Sequence, residues 1–298
     1  MRKVAEILTE VLDVSESEIT NVQPFGGMTN INYLASVSNE HYIVRIPGVG
    51  TDQLINRREE RNNLEIGVQL GINPEHIYID TETGLKVTRM IPGAVTLTQS
   101  ATKEEATMKK VTSVLRRLHC SGVQMGNQFK LYELMGLYEK NAVVENAQFY
   151  PHFAEVKKEI QHVKSAYDAL ERIEVPCHID TLYENFVLDE KGKLYLIDWE
   201  YSGMFDPLWD VATHLIESEF DGQEEDLFLG HYFQREATEV EKEIILIHKI
   251  FQDYLWSMWT LFKEAKGDDF GSYGSDRFER LQRNLTLYKD MYANRLTT

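Results

Sequence analysis

The sequence is poor in cysteine: only Cys120 and Cys177 occur among its 298 residues. Two cysteines at this spacing exclude a disulfide framework and do not resemble a zinc site, so we expect two reduced thiols in a reducing compartment. No run approaches the ~18 apolar residues of a membrane span. Acidic residues also interrupt the N-terminal stretch that would have to be apolar in a signal peptide. These absences predict a cytoplasmic protein without a membrane span.

Basic residues are also scarce, because 31 Lys and Arg face 48 Asp and Glu, which gives a formal net charge of -17. Nucleic acids and anionic membranes select clustered cations, so this balance argues against both partners. A cationic small molecule would be attracted instead. A polyanion such as ATP would need local basic groups, backbone amides and a divalent metal to bind here.

Internal repeats and Pro- or Ser-rich linkers are absent, so a domain boundary must be inferred from a change of pattern. The change falls near residue 93. Before it, strand-like runs dominate: NYLASV, HYIVRIPG, HIYID and LKVTRMI. After it, helical periodicity dominates, interrupted by one hairpin, NFVL and KLYLI. The pattern predicts an α+β fold with a small β-rich N-lobe, residues 1–92, and a larger helical C-lobe, residues 93–298.

The hairpin carries the residues with the clearest chemistry. Asp180 precedes it, Asn185 follows five positions later, and Asp198 comes just after the return strand. In kinase-type phosphotransferases, this arrangement supplies a base for the acceptor hydroxyl and two oxygen ligands for Mg²⁺. We assign Asp180 as the catalytic base or orienting carboxylate, and Asn185 and Asp198 as the metal ligands. Surface turn residues are the alternative, but the full set at hairpin spacing favours the catalytic interpretation.

A phosphate cradle is expected where PFGGMTNINY enters the first long strand. Glycines permit close backbone approach to phosphates, and the side chains of Thr29 and Asn30 can donate hydrogen bonds. A Gly-Gly pair is also typical of an ordinary turn, so the assignment depends on the strand hairpin that follows. The cradle residues assigned to ATP binding are Gly26, Gly27, Met28, Thr29 and Asn30.

Arg45 lies on the strand HYIVRIPG, at the place of the kinase strand lysine. Its permanently charged guanidinium can pair with phosphate oxygens in an otherwise acidic protein. Glu59 and Glu60, in the following helical stretch, are candidates to orient it, and we choose Glu60. The alternatives are an exposed strand arginine and a solvated charged helix face.

The run KVTRMIPGA ends the N-lobe and would form the interlobe hinge. Backbone groups near Arg89 and Ile91 are expected to hydrogen-bond an adenine edge. Val187, two residues after Asn185, is expected to lie beneath the ring.

The motifs together resemble the choline/ethanolamine kinase family, in its bacterial LicA-type branch within the aminoglycoside phosphotransferase-like clan. The resemblance extends from about residue 25 to about residue 275, and it rests on these segments: GGMTNINY, YIVRIPG, GLKVTRMIPGA, LRRLHCSG, HIDTLYENF, LIDWEYSGMFDPLWDVATH and LWSMW. It implies a two-lobed protein kinase-like fold, Mg-ATP as the donor and choline as the acceptor. Ile179 and Thr181 depart from the family pattern, but neither change removes a catalytic group.

Three other residues of the motifs are not assigned to the site. The resemblance implies that Asp210 braces the catalytic loop through backbone amides rather than binding metal. His119 and His214 lack ligand spacing, so both are expected to be packed or hydrogen-bonded helix residues.

The acceptor requires separate support, because a quaternary ammonium is recognised by aromatic faces and a nearby carboxylate. Trp256 lies well off the apolar stripe of the last long helix, and Trp259 lies at its edge. The family's choline pocket uses tryptophans of the matching W-x-x-W, and the resemblance adds Glu200, Tyr201 and Tyr273. Core packing is the alternative for these large aromatic residues.

The expected activity is ATP-dependent phosphorylation of choline. Ethanolamine, thiamine or an aminoglycoside as acceptor are the nearest rivals, and an inactive ligand-binding pseudokinase is a rival of another class. The intact set of Asp180, Asn185 and Asp198 weighs against the pseudokinase. The sequence leaves the oligomeric state open.

Overall fold

The computed structural model describes residues 2–26, 30–48 and 55–292. The chain divides into two compact units, each built from two segments of the sequence. The first unit comprises Met1–Asn127 and Val175–Met204, and the second comprises Gln128–Glu174 and Phe205–Thr298. The division into two lobes predicted after residue 92 stays a prediction.

Apart from the last residue of the final strand, the strands of the described residues lie in the first unit. Its elements, in chain order, are α1 (Arg2–Leu12), β1 (Ile19–Pro24), β2 (Ile31–Val37), β3 (Glu40–Ile46), α2 (Arg57–Gln69), β4 (His76–Ile79), β5 (Lys86–Arg89), β6 (Val95–Thr96), α3 (Gln99–Thr102), α4 (Glu105–His119), β7 (Val175–Cys177), β8 (Phe186–Leu188), β9 (Leu194–Leu196) and β10 (Gly203–Phe205), the last ending at the unit boundary.

Five of these strands form an antiparallel sheet in the order β1-β2-β3-β5-β4. Tyr42 and Val44 of β3 are buried on one face of the strand, and Arg45, the next residue along the strand, is buried on the opposite face. Tyr42 and Val44 share a core with Val4 and Leu8 of α1, so the amphipathic N-terminal helix covers one face of the sheet. A smaller sheet, β6-β8-β9, contains the predicted hairpin, and β7 pairs with β10.

Helix α2 follows the sheet hairpin and begins at a clear sequence signal. The side chain of Asn56 accepts hydrogen bonds from the backbone amides of Arg58 and Glu59 at 3.1 and 3.4 Å, as an N-cap does. The helix ends before Gly71, whose φ of +67° is the left-handed conformation that glycine adopts most readily. These two signals fix the helix that carries Glu60.

The second unit is helical, and α9 is its central element. The helices are α5 (Leu131–Val144), α6 (Phe153–Asp168), α7 (Leu208–Glu217), α8 (Gly222–Phe233), α9 (Glu239–Ala265) and α10 (Tyr273–Tyr292). Helix α9 contacts α5, α7 and α10. It is buried on nearly all sides between Glu243 and Leu261, which is typical of a helix inside a core.

Two composition-based expectations concern the whole chain. Cys120 is exposed and Cys177 is buried, and both are free thiols. Among the described residues, no helix is both long and apolar enough to cross a membrane. The mixed α+β class predicted from the pattern is confirmed.

Candidate active site

The loop between β7 and β8 holds Asp180 in a fixed position. A short 3₁₀ turn at Tyr183–Asn185 brings Asn185 back toward it. The Asn185 amide nitrogen donates to the backbone oxygen of Asp180 at 2.7 Å and to its carboxylate Oδ2 at 3.2 Å. Because Asp180 engages the side-chain amide nitrogen of Asn185, the side-chain oxygen Oδ1 of Asn185 is the atom suited to a cation.

The same loop is tied to the residue that precedes Asp198. His178 Nε2 donates to the carbonyl oxygen of Ile197 at 2.9 Å. The Ile197 amide in turn donates to the carbonyl of Asn185 at 2.9 Å. The loop with Asp180 and the hairpin end with Asp198 therefore form one hydrogen-bonded assembly within the first unit.

Two residues of this assembly have unusual backbone conformations. Ile179 has a φ of +75° and Asp198 has a φ of +68°, both in the left-handed region. This region is costly for a β-branched residue such as isoleucine, and strain of this kind clusters at functional sites. Ile179 is one of the two departures from the family pattern, and its side chain is buried at 1% exposure. Burial of that side chain stabilises the strained conformation.

Arg45 on β3 lies at the centre of a charged cluster. Its Nη1 atom is 2.6 Å from Glu60 Oε1, 3.3 Å from Asp198 Oδ1 and 3.7 Å from Glu200 Oε2. Burial would lower the pKa of Arg45, but the charges of Glu60, Asp198 and Glu200 outweigh burial and raise it. The guanidinium therefore stays charged. The structure brings together the predicted partners Arg45 and Glu60, whose functional roles remain proposals.

Two cations of the cluster were missed by the sequence analysis. Arg57 Nη1 lies 2.7 Å from Glu60 Oε2 and 3.2 Å from Glu200 Oε2. Lys86 Nζ lies 3.5 Å from Glu60 Oε1, on the strand residue directly opposite Arg45. Signals for both were present: Arg57 is three residues before Glu60 on a helix, and Lys86 opens the strand that pairs with β3.

The pKa values of the cluster differ because the carboxylates have different neighbours. Burial opposes the ionised form of Glu60, but Lys86 and Arg45 outweigh it and lower its pKa to about 2. Burial, followed by the charge of Asp198, raises the pKa of Glu200 to about 7. Burial and the charge of Arg45 lower the pKa of Lys86. Groups with displaced pKa values gather at catalytic sites, although structural ion pairs displace them too.

Asn30 joins the cluster from the end of the predicted phosphate cradle. Its amide nitrogen donates to Glu200 Oε2 at 3.3 Å. Its Oδ1 atom is buried and accepts no hydrogen bond from the described residues. A buried acceptor without a donor is costly, so this atom is suited to a donor that a ligand would bring. Gly26 has a φ of +60°, while Gly27, Met28 and Thr29 lie outside the described residues.

The donor set fits a magnesium ion. Carboxylate oxygens of Glu60, Asp198 and Glu200 lie within 4.8 Å of one another. Oxygen ligands of this kind are those that Mg²⁺ prefers, with phosphate oxygens and water completing the shell. Asp198 is the most accessible of the three, with 35% of its side chain exposed against 0% for Glu60 and 5% for Glu200. The cluster thus offers one accessible carboxylate, that of Asp198, backed by buried charges.

The residues predicted near adenine also belong to the first unit. Arg89 is half-exposed and pairs with Glu40. The backbone oxygen of Ile91 accepts from the Ala94 amide at 3.1 Å. Val187 is buried and pairs with Thr96. Arg89 is therefore engaged through its side chain, and the adenine contacts of Arg89, Ile91 and Val187 remain predictions.

Three of the residues predicted to bind the acceptor lie in the second unit. The rings of Trp256 and Trp259 are edge to face, with centroids 6.2 Å apart. Trp256 is half-buried, whereas Trp259 is 6% exposed and packs on Phe270 with centroids 4.9 Å apart. Tyr273 is 37% exposed, and Arg277 lies 4.6 Å from its ring centroid. The structure thus gives Trp259 a packing contact and leaves Trp256 more accessible.

The other two acceptor residues, Glu200 and Tyr201, follow Asp198 in the first unit. Glu200 is engaged by Arg57 and Asn30, as described above, and Tyr201 is half-buried.

The three motif residues that the sequence analysis did not assign to the site are buried. Asp210 is 0% exposed and His119 is 6% exposed. His214 is 0% exposed, and its ring stacks on Phe228 with centroids 5.2 Å apart.

Comparisons with known proteins agree with this geometry. The family model described as choline/ethanolamine kinase matches residues 22–282. The protein LicA of Haemophilus influenzae is 31% identical over 265 residues, which cover 85% of this chain and 76% of that protein. These matches confirm the family resemblance predicted from the motifs.

Solved structures extend the comparison to the fold. The choline kinase LicA from Streptococcus pneumoniae has a TM-score of 0.85 at 37% identity, covering 96% of this chain and 99% of that one. A LicA structure in complex with AMP has a TM-score of 0.84 at 37% identity, covering 96% and 98%. The GDP complex of an aminoglycoside 2'-phosphotransferase, at 15% identity and a TM-score of 0.66, shares the fold alone. The predicted kinase-like fold is confirmed.

Proposed function

Since this chain belongs to the choline/ethanolamine kinase family, we propose that it transfers the γ-phosphoryl group of Mg-ATP to the hydroxyl of choline, forming phosphocholine and ADP. The observation that carries the proposal is the single hydrogen-bonded assembly of Asp180, Asn185 and Asp198 beside Arg45. Phosphoryl transfer depends mostly on positioning and on charge stabilisation, and this assembly supplies both.

Asp180 acts on the acceptor. The choline oxygen forms a bond to the γ-phosphorus while the bond from that phosphorus to the bridging oxygen breaks, and ADP leaves with the electron pair. Asp180 accepts the proton of the hydroxyl. Two hydrogen bonds from Asn185 fix the Asp180 loop and its carboxylate, so little reorganisation is needed at the moment of reaction.

Arg45 acts on the donor. It remains charged and is held by Glu60, so its guanidinium is oriented before nucleotide binds. Arg57 and Lys86 add positive charge behind it, which opposes the acidic background of the chain. The three cations equal the three carboxylates Glu60, Asp198 and Glu200 in number, so the cluster is less acidic than the chain as a whole and can accept a polyanionic nucleotide more readily.

Magnesium is proposed as the cofactor, with Asn185 and Asp198 as its protein ligands. When bound, the ion neutralises developing phosphate charge and orients the β- and γ-phosphates. The supporting observations are the accessibility of Asp198 and the hydrogen bonds of the Asn185 amide nitrogen to Asp180, which leave the side-chain oxygen of Asn185 for a cation. Asp198 contacts Arg45, so the same cation holds this carboxylate before metal enters.

The cradle and adenine contacts are proposed on the family resemblance. Asn30 supports this assignment, because its buried oxygen is suited to a ligand donor.

Choline is proposed as the acceptor because close relatives are choline kinases by name and because an ammonium without N–H groups requires aromatic faces. The Trp256–Trp259 pair supplies such faces within the second unit. Tyr273, Glu200 and Tyr201 complete the proposed set of acceptor residues. Two free thiols and the need for ATP support a cytoplasmic location.

An acceptor screen tests this function. Purified protein with Mg-ATP would be assayed for ATP consumption with choline, ethanolamine, thiamine and kanamycin, and without acceptor. We expect choline to give the highest kcat/KM and phosphocholine to appear in equal amount to ADP. Faster turnover of another alcohol would show that this alcohol, and not choline, is the preferred acceptor. No turnover with any of them, despite nucleotide binding, would favour the pseudokinase.

A further inference from the structure

Positively charged side chains line a groove of about 370 Å³ on the surface of the first unit. We name it the basic groove, and its polar and glycine residues are Gly71, Lys109, Lys110, Ser113, Arg117 and Lys193. Four of its nine lining residues are Lys or Arg and none is acidic. The whole chain has 31 Lys and Arg against 48 Asp and Glu. The groove therefore reverses the charge balance of the chain.

The cations come from two separate elements and converge. Lys109, Ser113 and Arg117 follow one another at four-residue intervals on α4, so they lie on one face of that helix. Lys193 comes from the hairpin. A Cβ atom at Gly71 would lie 3.8 Å from Arg117 Nη1 and 4.0 Å from Lys193 Nζ. Both charged groups therefore point to the same patch of surface, beside a residue without a side chain.

These two cations are not neutralised by the protein. Among the described residues, neither Arg117 nor Lys193 has a carboxylate within salt-bridge distance. Lys193 lies over the ring of Tyr195, 4.3 Å from its centroid. The nearby carboxylate of Asp189 accepts from the amides of Lys191 and Lys193 at 2.9 and 2.8 Å, so it closes the hairpin turn. Converging like charges repel each other unless an anion is bound between them.

The other two lysines have local partners. Lys109 pairs with Glu105 at 2.8 Å, and Lys110 donates to the carbonyl of Gly192 at 2.7 Å. Lys110 thereby joins α4 to the hairpin and fixes the distance between the two cationic elements. The groove is thus held in shape by one lysine while Arg117 and Lys193 remain available.

We propose that the basic groove binds the phosphate group of a small phosphorylated solute or of inorganic phosphate, with Arg117 and Lys193 as its principal ligands. A guanidinium and an ammonium that converge on one point match a compact dianion. Ser113 adds a hydroxyl donor, and the open surface at Gly71 leaves room for an oxygen. The groove volume suits a small molecule.

The site is distinct from the proposed nucleotide site but belongs to the same unit. Ile72, which follows Gly71, accepts the Leu196 amide at 2.7 Å, two residues before Asp198. Asn73 accepts from the indole of Trp199 at 3.1 Å. A ligand in the groove would therefore contact the turn that supports the return strand of the hairpin. Binding to the folded state alone would raise the melting temperature.

The test is titration calorimetry with inorganic phosphate and, separately, glycerol 3-phosphate, in the presence of saturating Mg-ADP and at constant ionic strength with chloride. Saturating Mg-ADP removes binding at the nucleotide site from the measurement. We expect Arg117→Gln combined with Lys193→Gln to weaken phosphate binding by about tenfold or more. Tighter binding of glycerol 3-phosphate would identify a phosphorylated solute, and tighter binding of phosphate would identify the free ion.

The control is Lys130→Gln combined with Arg283→Gln, which removes one lysine and one arginine from exposed positions outside the groove. This control variant has the same net charge as the groove variant, and it should bind phosphate as the wild type does. Arg117→Lys should retain more of the binding than the groove variant does, because lysine keeps the charge and binds phosphate as a point charge. Equal binding by wild type and the groove variant, or no phosphate binding once Mg-ADP is present, would overturn the site. If Arg117 served only the α4 dipole, the groove variant would melt earlier and bind phosphate normally.

Discussion

A buried network of arginines and carboxylates occurs in each unit, and the two networks differ in their surroundings. In the first unit, Arg45 and Arg57 pair with Glu60, and Glu60 is wholly buried. In the second unit, Arg277 and Arg280 pair with Asp253, which is equally buried. Judged by burial and pairing alone, the two are alike, and burial also raises the pKa of Asp253.

Accessibility and backbone conformation distinguish the networks. The first extends to Asp198, which is 35% exposed on its side chain and has a φ of +68°. The second is carried by helices, and Arg280 binds Asp253 through two hydrogen bonds at 2.9 and 2.7 Å. A bidentate pair between helices is closed to ligands. The comparison teaches that a displaced pKa indicates burial of a charged group and does not by itself indicate function. An exposed carboxylate on a strained backbone, such as that of Asp198, is the stronger indication of function.

Among the residues of the two networks, the largest expected effect is on Asp198, the exposed residue by which the first network differs from the second. Asp198→Asn should lower kcat/KM by roughly 100- to 1,000-fold and weaken the dependence of the rate on Mg²⁺, because a charged oxygen ligand is lost. Steady-state kinetics over a magnesium series would measure this change. Asp189→Asn, at the other end of the same hairpin, should retain activity because asparagine keeps the turn acceptor. Unchanged magnesium dependence in Asp198→Asn would refute the ligand assignment.

The network of the first unit should serve both stability and function. Glu60→Gln leaves Arg45, Arg57 and Lys86 with less opposing charge, so we expect a loss of about 3 to 5 kcal/mol in the free energy of unfolding. Because Arg45 also loses its orienting partner, the KM for ATP should rise. Denaturant unfolding and ATP kinetics on the same preparation would show both changes. A stable variant with normal ATP kinetics would contradict the assigned role of Glu60.

The network of the second unit should serve stability. Asp253→Asn removes the charge opposite Arg277 and Arg280, and we expect a similar loss of about 3 to 5 kcal/mol. The KM for ATP, measured well below the melting temperature, should stay within twofold of the wild type as an approximate limit. A selective loss of ATP binding with normal stability would reverse the comparison.

The smallest expected effect concerns the acceptor. Trp256→Ala should raise the KM for choline about 5- to 30-fold, which corresponds to about 1 to 2 kcal/mol, with little change in the KM for ATP. Trp259→Ala is the matched variant: it removes a buried ring that packs on Phe270, so stability should fall as well. Equal losses for choline and ATP in Trp256→Ala, together with early melting, would indicate packing instead of recognition.

Much of the fold followed from periodicity. The strands β2, β3, β4 and β5 and the helices α2 and α9 lie where alternation or helical spacing predicted them. Strand β1 escaped prediction because ITNVQP shows no regular alternation, and its pairing with β2 contains a register shift. Its place at the sheet edge depends on tertiary pairing, which a local pattern does not encode.

Site residues could be predicted where a motif sets their spacing in the sequence. They could not be predicted where they depend on contacts between strands and helices that are distant in the sequence. The grouping of Asp180, Asn185 and Asp198 was predictable because the hairpin sets their separation, and their roles stay predictions. Arg57 and Lys86 were missed, since a charged residue on a helix or a strand end is usually exposed. Arg57 is buried through the placement of α2, and the pairing of β3 with β5 leaves only 11% of the Lys86 side chain exposed.

The central claim is that Asp180 accepts the proton of the acceptor hydroxyl while the neighbouring cluster holds Mg-ATP. Phosphorus-31 NMR of wild type, Asp180→Asn and Asp189→Asn with Mg-ATP and choline tests it most directly, alongside calorimetric measurement of ATP binding. We predict that wild type and Asp189→Asn form phosphocholine, while Asp180→Asn binds ATP normally and forms it roughly 100- to 10,000-fold more slowly. Phosphocholine formation by Asp180→Asn within tenfold of the wild-type rate, taken as an approximate limit, would contradict the claim.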